Sequence, residues 1–183
     1  MSISSNIIPL SHNKGNKMNI QETLKDYGIT SIWHFTDVSN LKSIEKHGLL
    51  SLELLRQKSI HVPCYGANLY SHQRDRAFGL DNFVHLSIIP DYPMQYIKTK
   101  NGDIPNPIWL EIDVSVLHEN LSGCCNQVAN ANNAEIHEIK DIANVINLKK
   151  LLNNPRPRDP IKKAQLIVAN KIDYTKIKGV YHG

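Results

Sequence analysis

The order of strand-like and helix-like segments constrains the fold of this 183-residue chain more than any single motif. Apolar, β-branched and aromatic runs predict strands at 31–36, 82–89, 108–114, 164–170 and 177–182. Apolar periodicity and end signals predict helices at 19–28, 39–48, 51–58 and 134–152. These helices do not alternate regularly with the strands, and no strand leads into a GxGxxG helix. We therefore expect a mixed α+β domain and not a doubly wound parallel sheet.

Three segments between these elements are predicted to be loops because they carry proline and glycine. They are "PDYPMQY" at 90–96, "NGDIPNP" at 101–107 and "NNPRPRDP" at 153–160. The polar residues 1–18 are expected to be a loosely ordered tail, which leaves 19–183 as one domain.

Composition is that of a folded protein, with 41% hydrophobic and 21% charged residues, and the net charge of +4 mildly favours a polyanionic partner. Cys64, Cys124 and Cys125 form no even disulfide framework and no zinc-ligand spacing, so we expect no metal. Since the sequence shows no signal peptide and no long apolar run, we expect a cytoplasmic protein without a membrane segment.

The strand predicted at 31–36 places two polar side chains on one face. Because side chains alternate along a strand, His34 and Thr36 share a side while Trp33 and Phe35 share the other. An imidazole and a hydroxyl can both donate and accept hydrogen bonds, which suits a ribose or a carboxamide. Judged from the spacing alone, a buried histidine bonded to a backbone carbonyl is the favoured explanation.

Four segments in order carry a resemblance to a known family. They resemble four elements of the DarT-type DNA ADP-ribosyltransferase toxins. The HxT strand and its helix are matched by "WHFTDVSNLKSIEKHGLLS", and the arginine-bearing element by "SHQRDRA". The strand before Pro-Met-x-Tyr is matched by "FVHLSIIPDYPMQY", and the catalytic strand by "KKAQLIVAN". The resemblance implies a compact split-sheet ADP-ribosyltransferase core. It also implies transfer of ADP-ribose from NAD to a base, thymine or guanine, of single-stranded DNA.

The same resemblance assigns the NAD pocket. His34, Phe35 and Thr36 would hold the nicotinamide riboside end, and the helix that follows would form a wall with Asn40, Ser43 and Leu50. It further implies a toxin–antitoxin system with a cognate antitoxin that removes ADP-ribose, and we expect the chain to be a monomer.

Arg74 falls at the family's key arginine, where it would reach the NAD phosphates and lie close to the acceptor base. A guanidinium suits this role because its fork of donors binds phosphate oxygens bidentately. The alternatives are Arg76, if the register differs by two, and an ordinary exposed side chain.

Gln165 stands where the family's strand reads Lys-x-Ala-Glu. A glutamate there would bind the ribose hydroxyl, stabilise the developing positive charge and accept a proton, whereas an amide keeps the hydrogen bonds and loses the charge. Three explanations stay open: an engineered inactive form, which we favour; a natural variant that uses another acid, with Glu111 and Glu135 as candidates; or a structural Gln165 outside the site.

Two segments are predicted to bind the DNA. The basic loop before Gln165 could follow a phosphate backbone through Arg156, Arg158, Lys162 and Lys163. Upstream, amides including Asn132 and Asn133 could read base edges, although amide-rich loops are usually turns. Leu86 and Ser87 stand where thymine-specific relatives carry aromatic residues, which makes guanine an alternative base.

Two other functions remain open from the sequence. The same pocket could serve an ADP-ribosyltransferase or a 2′-phosphotransferase-like enzyme that acts on RNA or protein. If Gln165 is native, the chain could instead be a catalytically dead module that binds NAD or nucleic acid.

Overall fold

The structure is a computed structural model that describes residues 19–182. The helices in this part of the chain are α1 (Ile20–Asp26), α2 (Leu41–His47), α3 (Leu52–Gln57), α4 (Leu69–Ala77), α5 (Pro93–Lys100), α6 (Val116–Glu119), α7 (Ile142–Val145) and α8 (Leu148–Leu152). The strands are β1 (Ser31–Asp37), β2 (Leu49–Leu50), β3 (Phe83–Leu86), β4 (Pro107–Asp113), β5 (Ser122–Cys125), β6 (His137–Glu138), β7 (Gln165–Ala169), β8 (Lys171–Ile172) and β9 (Ile177–His182). The predicted tail at 1–18 lies outside the described residues.

Two antiparallel sheets form the centre of the domain. One has the order β1–β4–β9 and the other the order β3–β7–β5–β6, while β2 and β8 form a separate pair. Reciprocal backbone hydrogen bonds of 2.8 Å between Trp33 and Ser87 join β1 to the residue that follows β3. The mixed α+β prediction is confirmed, and none of the strand pairs described is parallel.

The core is built from alternate residues of the two central strands. Ile108, Leu110 and Ile112 of β4 are fully buried, as are Leu166 and Val168 of β7, and all belong to one apolar cluster. Because β-strand side chains alternate, Gln165 and Ile167 lie on the opposite side of β7. The strand that carries Gln165 is thus fixed by apolar packing on one face.

Several predicted elements are confirmed with small shifts at their ends. The strands at 31–36, 108–114, 164–170 and 177–182 correspond to β1, β4, β7 and β9, and the strand at 82–89 is shorter, as β3. The helices at 19–28, 39–48 and 51–58 correspond to α1, α2 with the 3₁₀ turn before it, and α3.

The long helix predicted at 134–152 is wrong. His137 and Glu138 form β6, a 3₁₀ turn follows, and two short helices, α7 and α8, complete the segment. The isoleucine spacing suggested one helix, but pairing of β6 with β5 takes the first part into the sheet. Asn147 then starts α8 by accepting a hydrogen bond from the Lys150 amide. Tertiary pairing overrides local periodicity here.

Three other segments are more regular than expected. The loop predicted at 90–96 ends at Pro93, which opens α5 in the first-turn position that suits proline. Residues 69–77, for which no helix was predicted, form α4 with Asn68 as the capping residue. The segment 122–125 forms β5, an inner strand of the second sheet.

Gly48 ends α2 in a backbone conformation that other residues rarely adopt, with φ 81° and ψ 176°. A Cβ at this position would lie 2.5 Å from the Ile172 carbonyl oxygen in β8. The close approach of α2 to the β2–β8 pair therefore requires glycine.

We expect Gly48→Ala to destabilise the domain by roughly 2–4 kcal/mol, because backbone strain and overlap with Ile172 add together. Gly28→Ala is the matched control: its φ is also positive, at 66°, but no atom lies within 4 Å of the added methyl group. Urea unfolding of both variants tests this. Equal losses of stability would show that the approach to Ile172 is not a constraint.

Candidate functional site

One cavity is lined by residues of β1, β3 and β7 together with residues from α2 and α4. The predicted NAD contacts other than Arg74 all line it: His34, Phe35, Thr36, Asn40, Ser43 and Leu50. Gln165 also lines it. The structure thus brings together side chains from the first strand and from the end of the domain.

His34 is held in one orientation by its backbone neighbour in the other sheet. Its Nδ1 lies 2.9 Å from the His85 carbonyl oxygen, which can only accept, so Nδ1 donates and Nε2 is left as an acceptor. Burial lowers the pKa of His34 to about 4. A neutral imidazole with a free acceptor nitrogen therefore faces the cavity at neutral pH.

Thr36 is positioned by Asn40, four residues further along the chain. The Asn40 Nδ2 donates to the Thr36 hydroxyl over 3.0 Å and to the Cys64 carbonyl over 2.6 Å. Asn40 Oδ1 accepts a 3.2 Å hydrogen bond from the Cys64 amide. Asn40 is 6% exposed, and its polar atoms hold the cavity wall together. Its contribution to the cavity is to orient Thr36 and the loop at Cys64.

Gln165 is fixed by two hydrogen bonds to different parts of the chain. Its Oε1 accepts from the Ala129 amide over 2.8 Å, and its Nε2 donates to the Tyr92 hydroxyl over 2.7 Å. Tyr92 is 7% exposed, and burial raises its pKa well above the usual range, so the phenol stays protonated. The carboxamide is therefore both buried and fully oriented at the edge of the cavity.

An ion pair between a buried lysine and an exposed aspartate supports this arrangement from outside the cavity. Lys162, whose side chain is 4% exposed, pairs with Asp91, the residue before Tyr92. Lys162 was predicted to contact DNA; in this structure its ammonium group pairs with Asp91, and the DNA contact stays a prediction. The pair ties the turn before β7 to the segment that carries Tyr92.

Arg74 does not line the cavity, in contrast to the expectation that it reaches the NAD phosphates. Its guanidinium donates to the Asn130 carbonyl oxygen, over 2.7 Å from Nε, and lies 5.7 Å and 5.1 Å from the ring centroids of Tyr70 and Phe78. Arg76, the alternative, is largely exposed and lies 3.9 Å from Asp81. In this structure Arg74 holds the loop at 126–133 against α4.

The other predicted DNA contacts lie on the surface. Arg156, Arg158 and Lys163 are exposed, and so are Asn132 and Asn133. Asn133 accepts hydrogen bonds from Gln127 through its carbonyl at 2.9 Å, which closes a turn in the amide-rich loop. None of these residues lines the cavity, although Val128 and Asn130 of the same loop do.

The two acids proposed as substitutes for a glutamate at 165 lie elsewhere. Glu111 on β4 accepts hydrogen bonds from Ser31 at 2.5 Å and from Tyr181 at 2.8 Å, which lower its pKa. Glu135 is exposed and lies 3.7 Å from His137. Neither lines the cavity, so neither can replace that glutamate.

The cavity residues that were not predicted from the sequence include Asp75, His85 and Tyr92. Asp75 lies four residues after Ser71 on α4, so both face the cavity, but this spacing is visible only once the helix is known. Tyr92 precedes the Pro-Met pair, in a segment predicted to be a loop. His85 lies two residues after Phe83 on β3, so the two side chains share one face of the strand. This spacing was the sequence signal that could have placed His85 at the cavity.

The donor set of the cavity fits a ligand with amide and hydroxyl groups. The Nε2 of His85 is buried and has no hydrogen-bond partner among the described residues. A buried polar atom without a partner is costly and indicates a missing ligand or water. Together with His34 and Thr36 it makes a site suited to the carboxamide and ribose of a nucleotide such as NAD.

Two absences hold for residues 19–182. No three histidine, cysteine or acidic side chains there converge as metal ligands. No helix in that range is long and apolar enough to cross a membrane.

We expect His34→Asn to reduce the loss of stability on acidification between about pH 6.5 and 4. In this range the unfolded chain binds a proton at His34 and the folded chain does not. Acid therefore favours unfolding, by at most about 1.4 kcal/mol per pH unit. Asparagine keeps a donor for the His85 carbonyl and does not titrate. Urea unfolding at a series of pH values, with the exposed His118→Asn as control, measures the effect; identical pH dependence in all three proteins would contradict it.

Solved structures share this fold. DarT from Thermus sp. 2.9 in complex with ADP-ribosylated ssDNA matches with a TM-score of 0.68 and 18% identity, over 84% of this chain and 81% of that chain. DarTG from Thermosipho africanus in complex with ADP-ribose gives 0.65 and 18%, over 84% of this chain and 44% of that chain. The Thermus DarT in complex with NAD+ gives 0.58 and 17%, over 83% and 81%.

A comparison with curated proteins gives no match. A scan against protein families matches residues 33–182 to the family described as "ssDNA thymidine ADP-ribosyltransferase, DarT". This match extends over most of the chain and includes most of β1, the cavity and the strand of Gln165. The chain therefore belongs to the DarT family of single-stranded DNA thymidine ADP-ribosyltransferases.

Proposed function

We propose that this chain transfers ADP-ribose from NAD to thymine in single-stranded DNA. The observation that carries the proposal is the convergence of His34, Thr36 and Gln165, which come from separate family motifs, in one cavity. Membership of the DarT family and the shared fold of a DarT solved with NAD+ support it.

In this proposal the NAD site lies against β1. The free Nε2 of His34 accepts a hydrogen bond, the Thr36 hydroxyl donates or accepts one, and His85 Nε2 gains the partner that it lacks. NAD supplies the ADP-ribosyl group and an anomeric carbon with a good leaving group. Phe35, whose ring lies 6.4 Å from that of Tyr92, provides an apolar wall beside Gln165.

Gln165 occupies the place of the family's glutamate in this proposal. A glutamate there could accept from the Ala129 amide and from the Tyr92 hydroxyl, the two groups that Gln165 contacts now. The surroundings are therefore compatible with either side chain. The amide lacks the negative charge that stabilises positive charge on the ribose, so we expect a low rate. The fully inactive chain inferred from the sequence stays a prediction.

We propose that the DNA is held by exposed cations next to β7. Arg156, Arg158 and Lys163 lie in the segment that leads to Gln165, and a basic segment can follow a phosphate backbone. Leu86 and Ser87 line the cavity where the acceptor base would enter. The family description favours thymine, and guanine is the alternative that these two residues leave open.

We further propose that the chain acts as a monomer in the cytoplasm and is opposed by an antitoxin that removes ADP-ribose. The likeness to a DarTG solved with ADP-ribose supports the antitoxin.

We expect Gln165→Glu to raise the rate of DNA modification by at least about 100-fold, because it restores a charge and a base next to the reacting carbon. The native chain and the variant are incubated with NAD and single-stranded oligonucleotides, each containing one thymine or one guanine. Mass spectrometry measures the gain of one ADP-ribose per oligonucleotide.

Gln73→Glu is the matched control, since it makes the same chemical change at an exposed position of α4. It should leave the rate unchanged. Absence of product on every oligonucleotide with Gln165→Glu, despite bound NAD, would refute the proposed function. Modification of added RNA or protein instead would favour the other transferase, and NAD binding without any product would favour the binding module.

A further inference from the structure

The cavity contains a carboxylate to which the family resemblance assigns no role. Among the described residues that line it, Asp75 of α4 is the single aspartate or glutamate. Its side chain is buried, with the residue 5% exposed. No lysine or arginine of the described residues forms a salt bridge with it. A buried acid without a cationic partner is costly, which makes its position at the cavity informative.

Asp75 and Gln165 are held by consecutive residues of one loop. The Ala129 amide donates to Gln165, and the side chain of Asn130 donates from Nδ2 to Asp75 Oδ1 over 2.8 Å. Asp75 and Gln165 both line the cavity, and one short stretch of loop backbone positions both of them. Arg74 holds this loop through the Asn130 carbonyl and leaves the carboxylate uncompensated.

We propose that Asp75 supplies the negative charge that Gln165 lacks, and that the native chain reacts through it. This inference rests on the proposed function. In the reaction the bond between the anomeric carbon and nicotinamide breaks, and its electron pair leaves with nicotinamide. A ring nitrogen of thymine bonds to that carbon and loses its proton. Asp75 receives this proton and passes it to solvent, so that ADP-ribosylated thymine, nicotinamide and one proton are formed.

In this arrangement the roles of the two side chains are divided. Gln165 orients the ribose by hydrogen bonding and Asp75 provides charge and proton acceptance, whereas a glutamate at 165 would do both. Asn130 is a positioning residue, because it fixes Asp75 through one hydrogen bond. The natural-variant explanation of Gln165 thereby acquires a specific acid in place of Glu111 and Glu135.

The test is Asp75→Asn in two backgrounds, the native chain and Gln165→Glu, with single-turnover rates on a thymine oligonucleotide. Asparagine can still accept from Asn130, so the change removes charge and preserves the hydrogen bond. We expect a loss of at least about 10-fold in the native background and of less than about threefold in the Gln165→Glu background. Asp81→Asn is the matched control, since Asp81 is 8% exposed and does not line the cavity, and it should change neither rate.

The inference is overturned if Asp75→Asn leaves the native activity unaffected, if Gln165→Glu forms product and the native chain forms none, or if the losses are equal in both backgrounds. Asp75→Glu guards against a folding defect, because it keeps the charge and should retain more activity than Asp75→Asn; equal inactivity of the two also overturns the inference. The proposed function fails separately, when Gln165→Glu with Asp75 intact forms no product on any oligonucleotide although the protein binds NAD.

Discussion

The two hydrogen bonds of the Gln165 carboxamide join three segments that are distant in the sequence. One goes to the Ala129 amide in the loop after β5, and the other to Tyr92, just before α5. Because Gln165 is only 9% exposed, the polar atoms of its carboxamide need hydrogen-bond partners, and Ala129 and Tyr92 supply them. The walls of the cavity are therefore fixed relative to β7, which is itself held by the buried Leu166 and Val168.

The same interaction explains how one position can hold either an amide or an acid. With glutamine the Tyr92 hydroxyl accepts a hydrogen bond, whereas with glutamate it would donate one, and a hydroxyl can do both. The Ala129 amide donates in either case. Replacement of one side chain by the other should thus alter charge and little else. Lys162 and Asp91 add rigidity, because they join the turn before Gln165 to the residue before Tyr92.

Much of the sheet architecture could be predicted from the sequence, since β1, β4, β7 and β9 are apolar runs with clear ends. The segment 134–152 could not, because its isoleucines fit a helix and only pairing with β5 reveals β6. His34 and Thr36 on β1 were predictable from their motif, but alternation placed Trp33 and Phe35 on the other face, and both also line the cavity. Asp75 was not, because its exposure to the cavity depends on α4. The contact of Arg74 with the Asn130 carbonyl was not predictable either, because it depends on the position of the loop, and the role of Arg74 at the NAD phosphates stays a prediction.

The central claim is that the cavity against β1 binds NAD through His34. Titration calorimetry of NAD into the native chain and into His34→Asn tests it most directly, because asparagine keeps the donor to the His85 carbonyl and removes only the nitrogen that faces the cavity. The account predicts binding to the native chain and an affinity about 10-fold lower for the variant. Equal affinities, or no binding of NAD to the native chain, would contradict it.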